Sequence, residues 1–125
     1  MAAAFRILVA DDDPDLVDLL SIELKRHGYE VVTAASGPEA LQAAQAGTLD
    51  LILLDIMMPG VDGYHVAEEL TRLLGDKCPK IIIITSRDVS REQGLAIMCG
   101  AVAAMQKPIQ MPILLARIAQ LLSQK

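Results

Sequence analysis

The chain has no tryptophan, one phenylalanine and two tyrosines, so aromatics make up only 2% of its 125 residues. Basic residues are also few: 11 lysines and arginines face 16 aspartates and glutamates, a formal net charge of −5. That balance excludes a surface built to hold nucleic acid, which needs clustered Lys and Arg. The longest apolar runs are strand-length, so no segment is expected to span a membrane. The opening MAAAFR is too short and too weakly charged for a signal peptide. Cys78 and Cys99 lack the close spacing of a metal site and read as reduced thiols of a cytosolic protein. What remains is an aliphatic chain of ordinary domain size, 53% hydrophobic with much of that alanine, able to bury a substantial core.

Strand and helix patterns alternate along it. RILVAD (6–11), EVVTA (30–34), LDLILLD (49–55), KIIIIT (80–85) and VAAM (102–105) read as short buried strands. KIIIIT is the most β-branched and is expected to be a central strand. Asp13 caps a helix with Pro14 in its first turn, and Leu16, Leu20 and Leu24, flanked by Leu19 and Ile22, form a stripe ending at Gly28. Ser36 and Glu39 form a capping box for a helix over 37–46. After the turn Met58-Pro59-Gly60, Asp62 starts a helix carrying Val66, Leu70, Leu73 and Leu74. Ser90 and Gln93 cap a shorter helix running to Gly100. Pro108 and Pro112 precede a last helix with Leu114, Ile118, Leu121 and Leu122 inside. Five strand–helix units with short links predict parallel pairing and right-handed crossovers. The fold class is α/β, a doubly wound three-layer sandwich, with residues 1–125 forming one domain.

Chemistry-bearing side chains fall where the strands end. The first strand delivers Asp11, Asp12 and Asp13, the third Asp55, the fourth Thr85 and Ser86, and the fifth Lys107. In an open α/β sheet the ligand site lies outside the carboxyl ends of the strands, so these groups are expected in one cleft. Crowded carboxylates repel, which implies a bound cation. An all-oxygen set suits Mg²⁺ better than zinc, and a lysine and a threonine beside it suit a phosphoryl group. His27 and His65 have no second ligand nearby in sequence and are expected to face solvent. Met57, Met58, Met98 and Met105 read as core or rim filler, and Asp50, Asp76 and Asp88 as caps or loop charges.

The segments LVADDDP, LLDIMMPGVDG, IIITS and KP, in this order, resemble the receiver domain of two-component response regulators, the CheY-like family, over essentially the whole chain. The resemblance implies a flavodoxin-like (βα)5 sandwich around a five-stranded parallel sheet. It implies that Asp55 is the phosphoacceptor, a carboxylate that attacks phosphorus to form an acyl phosphate. Asp12 then matches the direct Mg²⁺ ligand and Asp11 the carboxylate that holds metal-bound water, which leaves Asp13 as the helix cap. Asp55 and the backbone of Met57 complete the metal set, and Met57 also borders the phosphate. Lys107 matches the lysine that pairs first with Asp55 and then with the phosphoryl group, and Thr85 the hydroxyl that bonds a phosphoryl oxygen. Ser86 stands where the family has alanine or glycine, and its backbone N–H is expected to approach the phosphate. The bond before Pro108 is expected to be cis, and Pro59 and Gly63 are read as turn formers beside the site.

The family pattern fails in one place. Receivers commonly carry an aromatic residue three positions before the lysine, where this chain has Ala104, preceded by Val102 and Ala103. Alanine cannot signal by rotating inward, so the output device differs even though the phosphorylation chemistry is intact. The expected function is that of a phosphoacceptor in a two-component system or phosphorelay. A sensor histidine kinase or histidine phosphotransfer protein supplies the phosphoryl group, and a downstream protein reads the result in the cytoplasm. It is not an enzyme with turnover beyond slow self-dephosphorylation. The apolar edge at 101–104 is expected to pair with a partner or a second copy through residues 90–122. A phosphatase of the haloacid dehalogenase type would carry a second aspartate where Met57 stands. The alternative is a pseudo-receiver that docks partners without phosphate.

Overall fold

A computed structural model describes residues 4–58, 62–86, 94 and 96–123. Five strands run in parallel: β1 (Arg6–Ala10), β2 (Glu30–Ala34), β3 (Leu51–Asp55), β4 (Lys80–Thr85) and β5 (Ala103–Gln106). Their order in the sheet is β2-β1-β3-β4-β5. Helices α1 (Pro14–Arg26), α2 (Gly37–Ala46) and α3 (Gly63–Leu74) follow the first three strands, and a C-terminal helix spans Met111–Ser123. Residues 94 and 96–98, between β4 and β5, are also helical.

Alternation along each interior strand sorts the core into two layers, because successive side chains leave a strand on opposite faces. Ile7, Val9, Leu51, Leu53, Ile82 and Ile84 point to one face, where α1 and the C-terminal helix bring Leu20, Leu24, Leu114, Ile118 and Leu121. Leu8, Ile52, Leu54, Ile81 and Ile83 point to the other, against Ala40 and Ala44 of α2 and Val66, Ala67 and Leu70 of α3. Each of β1, β3 and β4 is thus buried on both faces, which explains why they read as continuous Ile/Leu/Val runs. The chain passes from β1 to one side for β2 and to the other for β3. The reversal opens a crevice at the carboxyl ends of β1 and β3, beside Asp11 and Asp55.

The helix starts follow local chemistry. Asp13 Oδ1 accepts from the N–H groups of Asp15 and Leu16. Ser36 Oγ accepts from Glu39 N–H, while Glu39 Oε2 accepts from Ala35 N–H and from the Ser36 hydroxyl. Asp62 Oδ1 accepts from Tyr64 N–H at 2.8 Å. The expected cap by Ser90 and Gln93, the Pro59-Gly60 turn and Asp88 lie outside the described residues.

As expected, β4 is a central strand, paired with β3 on one side and β5 on the other, and β3 is the middle of the five. Other expectations are corrected. The first strand stops at Ala10, and β3 begins at Leu51 because Asp50 turns its carboxylate to accept from Arg6 N–H at 2.8 Å. The last strand sits one residue later than expected, with Thr85 opposite Gln106. Leu19 and Ile22 are 52% and 54% exposed. α1 rests on the sheet through buried Leu20 and Leu24, with Leu16 and Val17 partly buried beside them. Leu73 is likewise exposed, and so are Met57 and Met98 among the methionines read as filler. Both histidines face solvent, as expected.

Candidate functional site

At the crevice the sheet aims its strand ends at a common point. Asp11 directly follows β1, and its N–H donates to Ala34 O at 3.1 Å, so the ladder with β2 continues through it. Asp13 N–H donates to Asp11 Oδ1 at 2.9 Å, turning that carboxylate back over the start of α1. Asp55 is the last residue of β3, and Met57 N–H holds its Oδ1 at 3.0 Å. Among the described residues, Asp11, Asp55 and Thr85 are the buried polar or charged ones, whereas Asp12 is exposed. Each of Asp11, Asp12 and Asp55 offers a carboxylate oxygen within 4.8 Å of the other two.

One cation answers them within the described residues. Lys107 N–H donates to Thr85 O at 2.7 Å, which fixes the lysine backbone to the end of β4. Its ammonium stands 2.9 Å from Asp11 Oδ2 and 3.6 Å from Asp55 Oδ2. The expected partner was Asp55; the nearer one is Asp11. That nearer contact balances the charge of Asp11 Oδ2, which meets no other donor among the described residues. The Lys107–Pro108 peptide bond is cis.

The charges perturb one another. Burial pushes the Asp55 carboxyl above the usual range, and the Met57 N–H pulls it back, while the Asp11 charge adds to the rise. Burial pulls the Lys107 ammonium down, but its contacts with Asp11 and the charge of Asp55 outweigh that and raise it. Three ionised carboxylates against one ammonium sum to −2, which a divalent cation would neutralise. The donor set is all oxygen, part buried and part exposed, and one buried oxygen, Asp11 Oδ2, is met by the Lys107 ammonium alone. These features fit a hard cation such as Mg²⁺ that keeps several of its waters. Burial raises both thiols, Cys78 and Cys99, so neither is a reactive thiolate.

Thr85 is fully buried at the end of β4, and Ser86 after it is exposed. Gly63, expected to be a turn former, instead lies in the first turn of α3, and its φ is not positive. A Cβ there would fall 2.4 Å from Ile56 Cα and 2.8 Å from Asp55 O. Glycine is needed for close approach to the strand end, not for backbone freedom. Only a Gly preceded by a capping Asp eight residues after an acidic strand end hinted at this in the sequence.

Beyond the crevice, Ala101 is buried, Ala103 and Ala104 are half-buried, and Val102 is exposed. With Ile97, Ile113 and Arg117 the latter three line a cleft of about 350 Å³ along β5. The apolar edge is therefore partly covered and partly open.

Residues 7–119 match the response regulator receiver domain family, and the chain belongs to it. It is 37% identical over 117 residues to the alkaline phosphatase synthesis transcriptional regulatory protein PhoP of Bacillus subtilis, covering 94% of this chain and 48% of that one. The chain thus spans about half the length of PhoP and of further curated relatives it matches. Among solved structures it resembles the response regulator TrrA of Thermotoga maritima in complex with Mg²⁺-BeF (37% identity, TM-score 0.83, 94% of this chain and 98% of that one). A CheY-like receiver from Methanospirillum hungatei JF-1 superposes with a TM-score of 0.89 at 30% identity, over 96% of this chain and 94% of that one. The flavodoxin-like doubly wound sandwich is shared with both. No helix among the described residues is long and apolar enough to cross a membrane.

Proposed function

We propose that residues 1–125 work as one receiver domain in which Asp55 accepts a phosphoryl group from a phosphohistidine of a sensor kinase or phosphotransfer protein. The observation that carries this reading is the meeting of Asp55, Asp11, Asp12 and Lys107 at one crevice. Met57 N–H occupies Asp55 Oδ1, leaving Oδ2, beside the ammonium, as the attacking oxygen. Its lone pair forms the new P–O bond as the P–N bond breaks, and the imidazole keeps the electron pair. Asp12, Asp11, Asp55 and the backbone of Met57 would hold Mg²⁺, which supplies neutralisation of charge on the phosphoryl oxygens. The Mg²⁺ in the TrrA complex supports that assignment. Lys107 exchanges its carboxylate contact for a phosphoryl oxygen, and Thr85 and the Ser86 N–H complete the donors. A preorganised donor set of this kind contributes mainly by positioning and charge stabilisation.

Asp55 is used once per signal, so the protein is a switch and not a turnover enzyme. Phosphorylation biases the surface around residues 86–111, and a downstream protein or a second copy reads it in the cytoplasm. The β5 cleft, open where the family has an aromatic side chain, is where that reader would bind. Incubation with Mg²⁺ and acetyl phosphate tests the reading by intact mass. One added phosphoryl group, absent in Asp55→Ala, is the expected result. No labelling would favour a phosphate-independent docking module, and multiple turnover would favour a phosphatase.

A further inference from the structure

We infer that Gly63 is a positioning residue for Asp55, an inference that rests on Asp55 being the phosphoacceptor. The peptide after Asp55 is clamped from two sides. Ile56 N–H donates to Ile84 O at 3.3 Å, which ties it to β4. From the other side, Gly63 N–H donates to Ile56 O at 3.1 Å. The missing Cβ of Gly63 lets the first turn of α3 lie directly on the backbone, 2.4 Å from Ile56 Cα and 2.8 Å from Asp55 O at the point a Cβ would occupy. Both blocking atoms are backbone, so no rotamer change can make room.

The clamp matters because of what Ile56 leads to. One residue further on, Met57 N–H fixes the Asp55 carboxylate through its 3.0 Å bond to Oδ1. Relieving a 2.4 Å contact to an ordinary separation requires a displacement of about 1 Å, since nine in ten real Cβ contacts lie beyond 3.4 Å. If the strand end gives way, the Met57 N–H leaves hydrogen-bonding range, because such bonds fail past about 3.5 Å. The carboxylate then loses the bond that orients Oδ2 toward Lys107. If α3 gives way instead, the Gly63–Ile56 bond is lost and the same loop is freed. Either response misplaces the nucleophile, and misplacement of that size costs about 100-fold in a positioned reaction. Gly63 touches neither phosphate nor metal; it acts through the 55–57 backbone.

The test compares wild type, Gly63→Ala and Gly94→Ala in the full chain. Gly94 is the control, since a Cβ there meets nothing within 4 Å. Two readouts are taken: the amide resonance of Met57 without metal, and the initial rate of Asp55 labelling by acetyl phosphate at saturating Mg²⁺. For Gly63→Ala we expect a shifted Met57 amide and labelling slowed about 10- to 100-fold in a protein that still melts cooperatively. Gly94→Ala should match wild type in both. A folded Gly63→Ala protein with the wild-type Met57 resonance overturns the inference, as does an unchanged labelling rate. Should Gly63→Ala not fold, Asp62→Ala serves instead. It frees the first turn of α3 by removing the cap on Tyr64 N–H and is expected to move the Met57 amide and slow labelling several-fold. An Asp62→Ala protein unchanged in both overturns the inference. If wild type itself takes no label, the phosphoacceptor reading fails, and the Met57 resonance alone still decides whether Gly63 sets the 55–57 backbone.

Discussion

Replacing Asp12 by alanine should stabilise the protein without metal and destabilise it, relative to wild type, with metal. Asp12 faces two other carboxylates with oxygens within 4.8 Å. At that separation a pair of like charges repels by about 0.9 kcal/mol in water-like surroundings and about 3.5 kcal/mol at an effective dielectric of ~20. Asp12 is exposed, so the smaller figure applies. Removing two such repulsions, each weakened further by salt at this exposed site, leaves a gain of about 1 kcal/mol. For a domain of this size that raises the melting temperature by about 4 °C. Saturating Mg²⁺ reverses the order. At a hundredfold excess over its dissociation constant a ligand stabilises the folded state by about 2.7 kcal/mol, which a chain lacking the Asp12 ligand largely forgoes. Paired urea titrations in EDTA and in excess Mg²⁺ measure both differences. If Asp12→Ala were less stable than wild type in EDTA, or gained as much from Mg²⁺, the reasoning from carboxylate crowding would be wrong.

Asp55 makes a related prediction for pH. Its folded pKa is raised above the ordinary 3.8, chiefly by burial. Between 3.8 and that raised value the native state therefore binds a proton that the unfolded chain does not. In EDTA this group adds stability as pH falls from neutral toward 3.8, and that stability is lost as pH rises through the folded value. Urea midpoints across this range should show less of the slope in Asp55→Asn; an identical slope would refute it. Gly100 has φ +96°, and a Cβ there would lie 2.4 Å from Thr71 Oγ1. Gly100→Ala should cost about 2 kcal/mol or more by chemical denaturation. Met57 is exposed beside the site and cannot orient a water. Met57→Asn should therefore speed loss of the phosphoryl group from Asp55, measured as the decay of phosphorylated mass; an unchanged decay would remove the water-access argument.

Local signals were the most legible. Asp13, Ser36 and Asp62 announce helix starts because a cap is a contact between a side chain and backbone two or three residues away. EVVTA and KIIIIT were bounded correctly because β-branched residues are concentrated inside each run and absent just outside it. What needed the structure depends on distant neighbours. The exposure of Leu19 and Ile22 follows from how narrowly α1 meets the sheet, which no helical periodicity records. The middle place of β3 is a property of strand order. In the site, the meeting of Asp11, Asp12, Asp55 and Lys107 was readable, since strand ends in this architecture share one edge. Lys107 lying nearer to Asp11 than to Asp55 was not readable, for it turns on fractions of an ångström between chain segments far apart. Gly63 was misread because a glycine needed for close approach looks the same in sequence as one needed for a turn.

The central claim is that Asp55 takes a phosphoryl group from a nitrogen donor. It is tested most directly by incubating the protein with phosphoramidate and Mg²⁺ and locating the product by peptide mass mapping. The account predicts a single hydroxylamine-labile phosphoryl group on Asp55, dependent on Mg²⁺ and greatly slowed in Lys107→Ala. Label on another residue, or equal label on Asp55→Asn, would contradict it.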